Sequence, residues 1–295
     1  MKPANLKTKI FLDGGDPNET RETIKLLGFL DGQTTNPTLI SKNPEAAIRL
    51  QKGEKFTEAE IWEFYKKVVQ EISALIPDGS VSIEVYSDPS TSSEQMLKSA
   101  GELFSWIPNA HIKFPTTSAG LEAARQAVKE GLRVNMTLCF SQEQAAAVYA
   151  ATDSGSKDLT LNGHKNVFVS PFVGRLDDKG ENGMDLIKNI IQMYAQGDHH
   201  VAVLTASVRN LDHLLYALAL KSDIMTVPFK VLKEWAENGM KIPGEDYVYP
   251  PNNLTSIPYQ EIDLNQDWHK YDITHELTNT GIAKFSSDWN ALISV

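Results

Sequence analysis

Residues 111–141, HIKFPTTSAGLEAARQAVKEGLRVNMTLCFS, hold one full repeat of the architecture. An apolar run opens at His111, an amphipathic segment follows, Gly131 punctuates its end, and a second run opens at Val134. The apolar spacing passes from a period of two to one near 3.6 and back, the signature of strand, helix, strand. Glycine belongs at the helix end because it enters the left-handed conformation without steric cost.

Working outward, the same alternation continues to both sides. Upstream lie a run at Lys9–Asp13, a helical stretch at Pro17–Leu27, a run at Gln33–Asn36, a helical stretch at Glu58–Ile76 and a run from Val81. Downstream, runs start at Val167, Val201 and Ile224, each followed by an amphipathic segment. In Glu58–Ile76, the residues Ile61, Phe64, Tyr65, Val68, Val69, Ile72, Leu75 and Ile76 form one stripe, so this helix packs on a core. Asp16-Pro17 with Glu19, Thr57 with Glu60, Thr91 with Glu94, and Ser141 with Gln144 have the spacing of helix N-caps and their partners, and Gly239 marks another helix end.

Eight strand–helix units in 295 residues predict an α/β protein built as a single (β/α)8 TIM barrel, whose core takes about 250 residues. An open doubly wound sheet is the alternative, but no G-x-G-x-x-G follows any strand. Residues 1–239 are assigned to the barrel. Residues 240–295 change character: KIPGEDYVYPPNNLTSIP is Pro-rich and aperiodic, and a helical segment follows near 274–293. This tail is expected to be a strap and helix packed on the barrel.

The balance of 28 Lys and Arg against 38 Asp and Glu, formally −10, disfavours nucleic acid and anionic membranes as partners. Any anionic ligand must therefore meet a local cluster of base. Cys139 stands alone, which excludes an internal disulfide and a thiolate zinc site and suits a reducing compartment such as the cytoplasm. No apolar run reaches signal or membrane-spanning length, so a soluble protein is expected. Nothing in the composition opposes a homo-oligomer.

Strand parity then assigns directions, because alternate side chains of a barrel strand face the axis and the helices. In HIKF, Ile112 and Phe114 take the helix side and Lys113 points inward. Glu84 is inward in VSIEV, and Asp13 follows Phe11 inward in the first run. In the fifth run, Val134, Met136, Leu138 and Phe140 face the helices, leaving Asn135 and Thr137 inside; in the sixth, Ser170 is inside. With Asn36, these polar groups converge on one cavity. Any one buried Asn or Thr is readily explained as a satisfied interior group. A buried lysine is different, since lysine is almost never fully buried without a partner or a task.

The seven histidines show no metal-ligand spacing, so the chemistry is read as metal-free. An interior lysine beside carboxylates suits Schiff-base chemistry, in which an amine attacks a ketone and the iminium becomes an electron sink for C–C cleavage. An ordinary lysine is almost wholly protonated at neutral pH, so apolar burial has to favour the amine while nearby carboxylates oppose it. One carboxyl is thus a candidate proton shuttle, working directly or through a water.

These residues lie in FLDGGD (11–16), QTTNPTLI (33–40), VSIEV (81–85), HIKFPTT (111–117), VNMTLCFS (134–141), SPFVGR (170–175), ASVRN (206–210) and GIAKF (281–285). In this order the strings resemble the transaldolase and fructose-6-phosphate aldolase family of class I aldolases. The resemblance implies that Lys113 forms the Schiff base, that Glu84 is its acid/base partner through a water also held by Thr137, and that Asp13 handles the proton at the cleaved bond. It implies that Asn36 and Asn135 hold substrate hydroxyls and the carbinolamine, that Ser170 holds the C1 hydroxyl, and that Arg175, Ser207 and Arg209 bind phosphate.

The implied activity is that of a transaldolase of the pentose phosphate pathway, moving a dihydroxyacetone unit between sugar phosphates without a cofactor. A fructose-6-phosphate aldolase is the near alternative, and an inactive sugar-phosphate-binding protein the distant one. Phe172 favours transfer, because aldolases of this superfamily tend to carry a proton-relaying tyrosine at that place. The first string reads Asp-Gly-Gly-Asp where the family usually has a hydroxyl or alanine after the first Asp, and the added backbone freedom bears on how Asp13 is held.

Overall fold

The computed structural model describes residues 2–152, 160–244, 246–251 and 253–294. All eight expected runs form strands: β1 (Lys9–Asp13), β2 (Gly32–Thr34), β3 (Ser80–Glu84), β4 (Ala110–Pro115), β5 (Val134–Cys139), β6 (Val167–Pro171), β7 (Val201–Thr205) and β8 (Ile224–Val227). Each pairs in parallel with the next and β8 pairs with β1, closing the barrel. The helices are α1 (Pro17–Leu27), α2 (Pro37–Ser41), α3 (Pro44–Gln51), α4 (Glu58–Leu75), α5 (Ser93–Phe104), α6 (Ser118–Lys129), α7 (Gln142–Thr152), α8 (Val173–Asp177), α9 (Gly183–Tyr194), α10 (Leu211–Ala219), α11 (Phe229–Glu237) and α12 (Glu276–Leu292). The chain is thus a single (β/α)8 barrel with a C-terminal helix.

Local chemistry sets most helix starts as expected. Asp16 caps α1 by accepting from Asn18 N, and Thr57 and Glu60 form a reciprocal capping box on α4. The cap of α5 lies one residue later than the sequence spacing suggests. Ser92 and Gln95 form the box, because the Thr91 hydroxyl is already engaged with Asp88 in the preceding turn.

The run expected at Gln33–Asn36 is also shorter, because β2 stops at Thr34. Asn36 instead caps α2 by accepting from Leu39 N, and Pro37 opens that helix.

A third difference concerns Leu138, expected on the outer face with Met136. The β5–β6 register shifts between Met136 and Cys139, and Leu138 has φ 59°, so its side chain turns against α12 near Gly281 instead. The Thr278 hydroxyl fixes the bend by donating to Leu138 O at 3.0 Å.

The N-terminal end of the barrel is filled. Phe11, His111, His164 and Phe168 pack there, with the His111 ring stacked 4.1 Å from that of Phe168. His111 Nδ1 lies 2.8 Å from Ser80 Oγ, and Nε2 lies 3.0 Å from Lys165 O in a small hairpin, Thr160–Leu161 with His164–Lys165. Among the described residues these side chains close that end of the barrel axis, and the C-terminal mouth is the open one.

Among the described residues between α11 and α12, the chain forms no helix or strand apart from a short turn at Trp268–Lys270. It is tied down by backbone and amide bonds: Asn182 N to Thr255 O at 2.7 Å, Asn189 Nδ2 to Ile257 O at 2.9 Å, and a reciprocal pair between Gln142 and Gln260. Helix α12 then crosses beside the mouth, and its Asp288 accepts from the Thr38 hydroxyl of α2.

Candidate active site

A cavity of about 490 Å³ opens at the C-terminal end of the strands. Asp13, Asn36, Lys113, Thr137, Ser170, Phe172, Arg175, Ser207 and Arg209 line it, so nine of the eleven residues singled out in the sequence meet there. The other two sit just behind. Glu84 is buried beside Lys113, and Asn135 lies beneath Ser170, accepting from its hydroxyl at 2.6 Å and donating to Ser82 Oγ at 3.1 Å. Asn135 thus orients Ser170 and does not itself face the cavity.

Register explains the meeting. Glu84 pairs with Lys113, and Lys113 with Asn135, so inward side chains of three adjacent strands share one layer. Lys113 Nζ lies 2.8 Å from Glu84 Oε2, with the two side chains only 4% and 2% exposed. It also donates to Thr35 O at 3.1 Å. Among the described residues, Glu84 Oε2 meets Lys113 Nζ as an ion pair and takes no further hydrogen bond, and Thr137 Oγ1 has no hydrogen-bond partner. A buried hydroxyl left without a partner, as at Thr137, is costly unless it serves chemistry.

Burial raises the Glu84 carboxyl above its ordinary range, with the pull of Lys113 in the opposite direction too weak to win. Asp13 is raised for the same reason, against Lys113 and a 2.8 Å hydrogen bond from the Thr34 hydroxyl. Both carboxyls are therefore shifted toward neutrality, which suits groups that take and return protons.

The Gly14-Gly15 pair does not leave Asp13 loose. Gly14 N donates to Thr34 O, Gln33 Nε2 holds Gly14 O at 2.8 Å, and Asn43 Nδ2 holds Gly15 O at 2.8 Å. A Cβ on Gly15 would fall 2.6 Å from Leu39 O, so glycine is needed where α2 approaches.

At the rim, Arg175 lies between aromatic rings, its guanidinium carbon 5.4 Å from the Phe172 centroid and 5.3 Å from that of Phe285. Burial lowers its basicity, and among the described residues no carboxylate forms a salt bridge with it. Arg209 is half exposed and paired with Asp178 at 2.9 Å. Ser207 adopts φ 59°, and its carbonyl accepts from Gly174 N.

The sequence reading missed Lys42 and Lys284, which also line the cavity. The lining then has five cations against Asp13 alone, a local positive field in a protein of net charge −10. Gly281 lets α12 come this close, since a Cβ there would fall 2.8 Å from Arg175 Nη1 and 2.6 Å from Leu138 Cδ2.

Among the described residues no cluster of His, Cys, Asp and Glu has the form of a metal site, and no helix is long and apolar enough to cross a membrane.

Fold and site together define a (β/α)8 barrel enzyme of aldolase type, with its lysine and carboxylates in the C-terminal mouth. Residues 10–295 match the pattern of one family, described as transaldolase/fructose-6-phosphate aldolase, and the chain belongs to that family. The match includes the Pro-rich tail. A probable transaldolase of Dehalococcoides mccartyi is 35% identical over 285 residues, covering 96% of this chain and 99% of that protein. Probable transaldolases of Methanococcus maripaludis (34%, covering 96% and 98%) and Thermoplasma volcanium (39%, covering 76% and 86%) are similar as well.

Proposed function

We propose that this protein is a transaldolase that moves a dihydroxyacetone unit from a ketose phosphate, fructose 6-phosphate or sedoheptulose 7-phosphate, to an aldose phosphate through a Schiff base on Lys113. The carrying observation is Lys113 itself: an almost unexposed lysine 2.8 Å from a carboxylate, at the floor of a positively lined mouth. A lysine there has no structural necessity and every chemical one.

In the proposed cycle the Lys113 amine attacks the C2 carbonyl of the donor. Glu84 supplies the proton with which the carbinolamine oxygen leaves as water, working through a water shared with Thr137 Oγ1. The resulting iminium accepts the electron pair of the C3–C4 bond as Asp13 takes the proton from the C4 hydroxyl, and the aldose phosphate departs. The enamine left on Lys113 then attacks the acceptor aldehyde, Asp13 returns its proton to the new hydroxyl, and water hydrolyses the iminium to release the new ketose. Ser170, fixed by Asn135, would hold the C1 hydroxyl, and Asn36 a hydroxyl further along the chain. Arg175, Ser207 and Arg209 would take the phosphate, with forked guanidinium donors matched to its oxygens.

Phe172 supports transfer over release. Its ring lines the cavity, packs edge-on to Phe140 at 5.8 Å and carries no proton for the enamine carbon. The strap of residues 240–295 belongs to the same proposal as the segment that brings α12 to the rim, and the pentose phosphate pathway in the cytoplasm is the setting the activity implies. The test is to supply fructose 6-phosphate with erythrose 4-phosphate and measure both sedoheptulose 7-phosphate and free dihydroxyacetone. Transfer should dominate. Dominant release would make the protein a fructose-6-phosphate aldolase, and neither product would leave a sugar-phosphate-binding protein.

A further inference from the structure

The sheet ladder breaks beside the lysine in an unusual way. In a parallel ladder the bonds of one residue straddle its partner on the next strand. Thr34 pairs with Ser82, and Thr35 N donates to Ser82 O at 3.1 Å. The next rung would take Glu84 N to Thr35 O, and the rung after it would need an N–H at residue 37. Residue 37 is proline, which has none, and the chain turns there into α2.

The missing rung is filled from outside the sheet. Glu84 N donates to the Tyr65 hydroxyl of α4 at 3.0 Å. That hydroxyl lies 2.6 Å from Thr35 Oγ1, whose own hydrogen goes to Ser82 O at 2.7 Å, so Tyr65 is the donor to Thr35. The phenol thereby donates one hydrogen bond and accepts one. The Thr35 carbonyl, released from the ladder, accepts from Lys113 Nζ at 3.1 Å.

We propose that Tyr65 is a positioning residue for the lysine site: its hydroxyl takes the place of the Thr35 carbonyl at Glu84 N, fixing Glu84 and leaving that carbonyl to hold Lys113. Tyr65 touches no substrate, being fully buried with Trp106 and Trp289 at 5.9 and 5.8 Å from its ring. Those rings set the direction of the phenol, so the Trp289 end of α12 is linked to Glu84 through one side chain. The inference rests on the proposed lysine chemistry for its kinetic effect but not for its geometry.

Tyr65→Phe keeps the ring and its packing and removes only the hydroxyl. Glu84 N then reclaims the Thr35 carbonyl, and Lys113 loses that acceptor. Two readouts separate positioning from folding. With fructose 6-phosphate and erythrose 4-phosphate, kcat should fall at least tenfold while KM for the donor stays within about twofold. With formaldehyde and cyanoborohydride, which need no substrate site, methylation of Lys113 followed by mass spectrometry should speed up at least threefold relative to other lysines, because the ammonium has lost an acceptor. Thr35→Val, which removes the hydroxyl that Tyr65 binds, should move both readouts in the same directions by less.

Unchanged kcat and unchanged Lys113 methylation in a folded Tyr65→Phe protein would overturn the proposal, as would faster methylation of all lysines together, which reports loosened folding. If the wild type has no transfer or aldolase activity, the functional reading fails, and the methylation contrast alone still decides the role of Tyr65.

Discussion

Replacing Arg175 and Arg209 separately by Ala separates two cations that the mouth holds in different ways. Arg175 is packed between the Phe172 and Phe285 rings and forms no salt bridge among the described residues, so phosphate need displace no carboxylate from it. A charge-assisted hydrogen bond is worth about 1.5–3 kcal/mol, and ~1.4 kcal/mol is a factor of ten, so Arg175→Ala should lower kcat/KM for fructose 6-phosphate about ten- to hundredfold. Arg209 must first leave Asp178, its exposed partner at 2.9 Å. Exposed pairs contribute up to ~1 kcal/mol, so the net loss for Arg209→Ala should fall to about 0.5–2 kcal/mol, roughly two- to thirtyfold. The assay is kcat/KM for fructose 6-phosphate and for unphosphorylated fructose in wild type and both variants. Fructose should be nearly indifferent to either change. Equal losses for both sugars would refute the phosphate role, and a larger loss at Arg209 than at Arg175 would refute the argument from Asp178.

Further outcomes can be measured alongside. Phe172→Tyr adds a hydroxyl at the cavity wall and should raise free dihydroxyacetone formed from fructose 6-phosphate without acceptor while transfer falls; a variant with the wild-type product ratio would remove Phe172 from the account. His164 carries an acid-stability prediction: burial, helped by the charge of Lys9, lowers its folded pKa to about 4 from the ordinary 6.5. Above pH 6.5 both states hold it neutral, but as pH falls from 6.5 to 4 only the unfolded chain gains the proton, so stability should decline by up to about 3 kcal/mol over that window. Urea midpoints at pH 7.5 and 5 should drop less in His164→Phe than in wild type, and equal drops would exclude His164 as the cause.

What the sequence made legible follows from periodicity. Lys113, Glu84, Asp13, Thr137 and Ser170 stand at strand positions where apolar residues alternate with them, and parity suffices to aim each inward. Parity fails where the strand is irregular. Leu138 continues an apolar alternation, yet its left-handed backbone turns it toward α12, and nothing in the residue type announces that conformation.

Asn36 lines the cavity from a helix cap and not from β2, so strand parity does not set its direction. Lys42, Lys284 and Tyr65 reach the site from helices or their ends, where a period of two carries no information. Tyr65 in particular reads as one more apolar member of the α4 stripe, and only the missing ladder rung at Pro37 gives its hydroxyl a role.

The central claim is that Lys113 is the residue on which the donor sugar is held covalently, and borohydride trapping tests it most directly. Protein incubated with fructose 6-phosphate and then reduced should carry a three-carbon adduct on Lys113 and on no other lysine, located by peptide mass spectrometry. Lys113→Ala should show neither adduct nor turnover while keeping the wild-type fold by circular dichroism. An adduct on a different lysine, or turnover that survives in Lys113→Ala, would contradict the account.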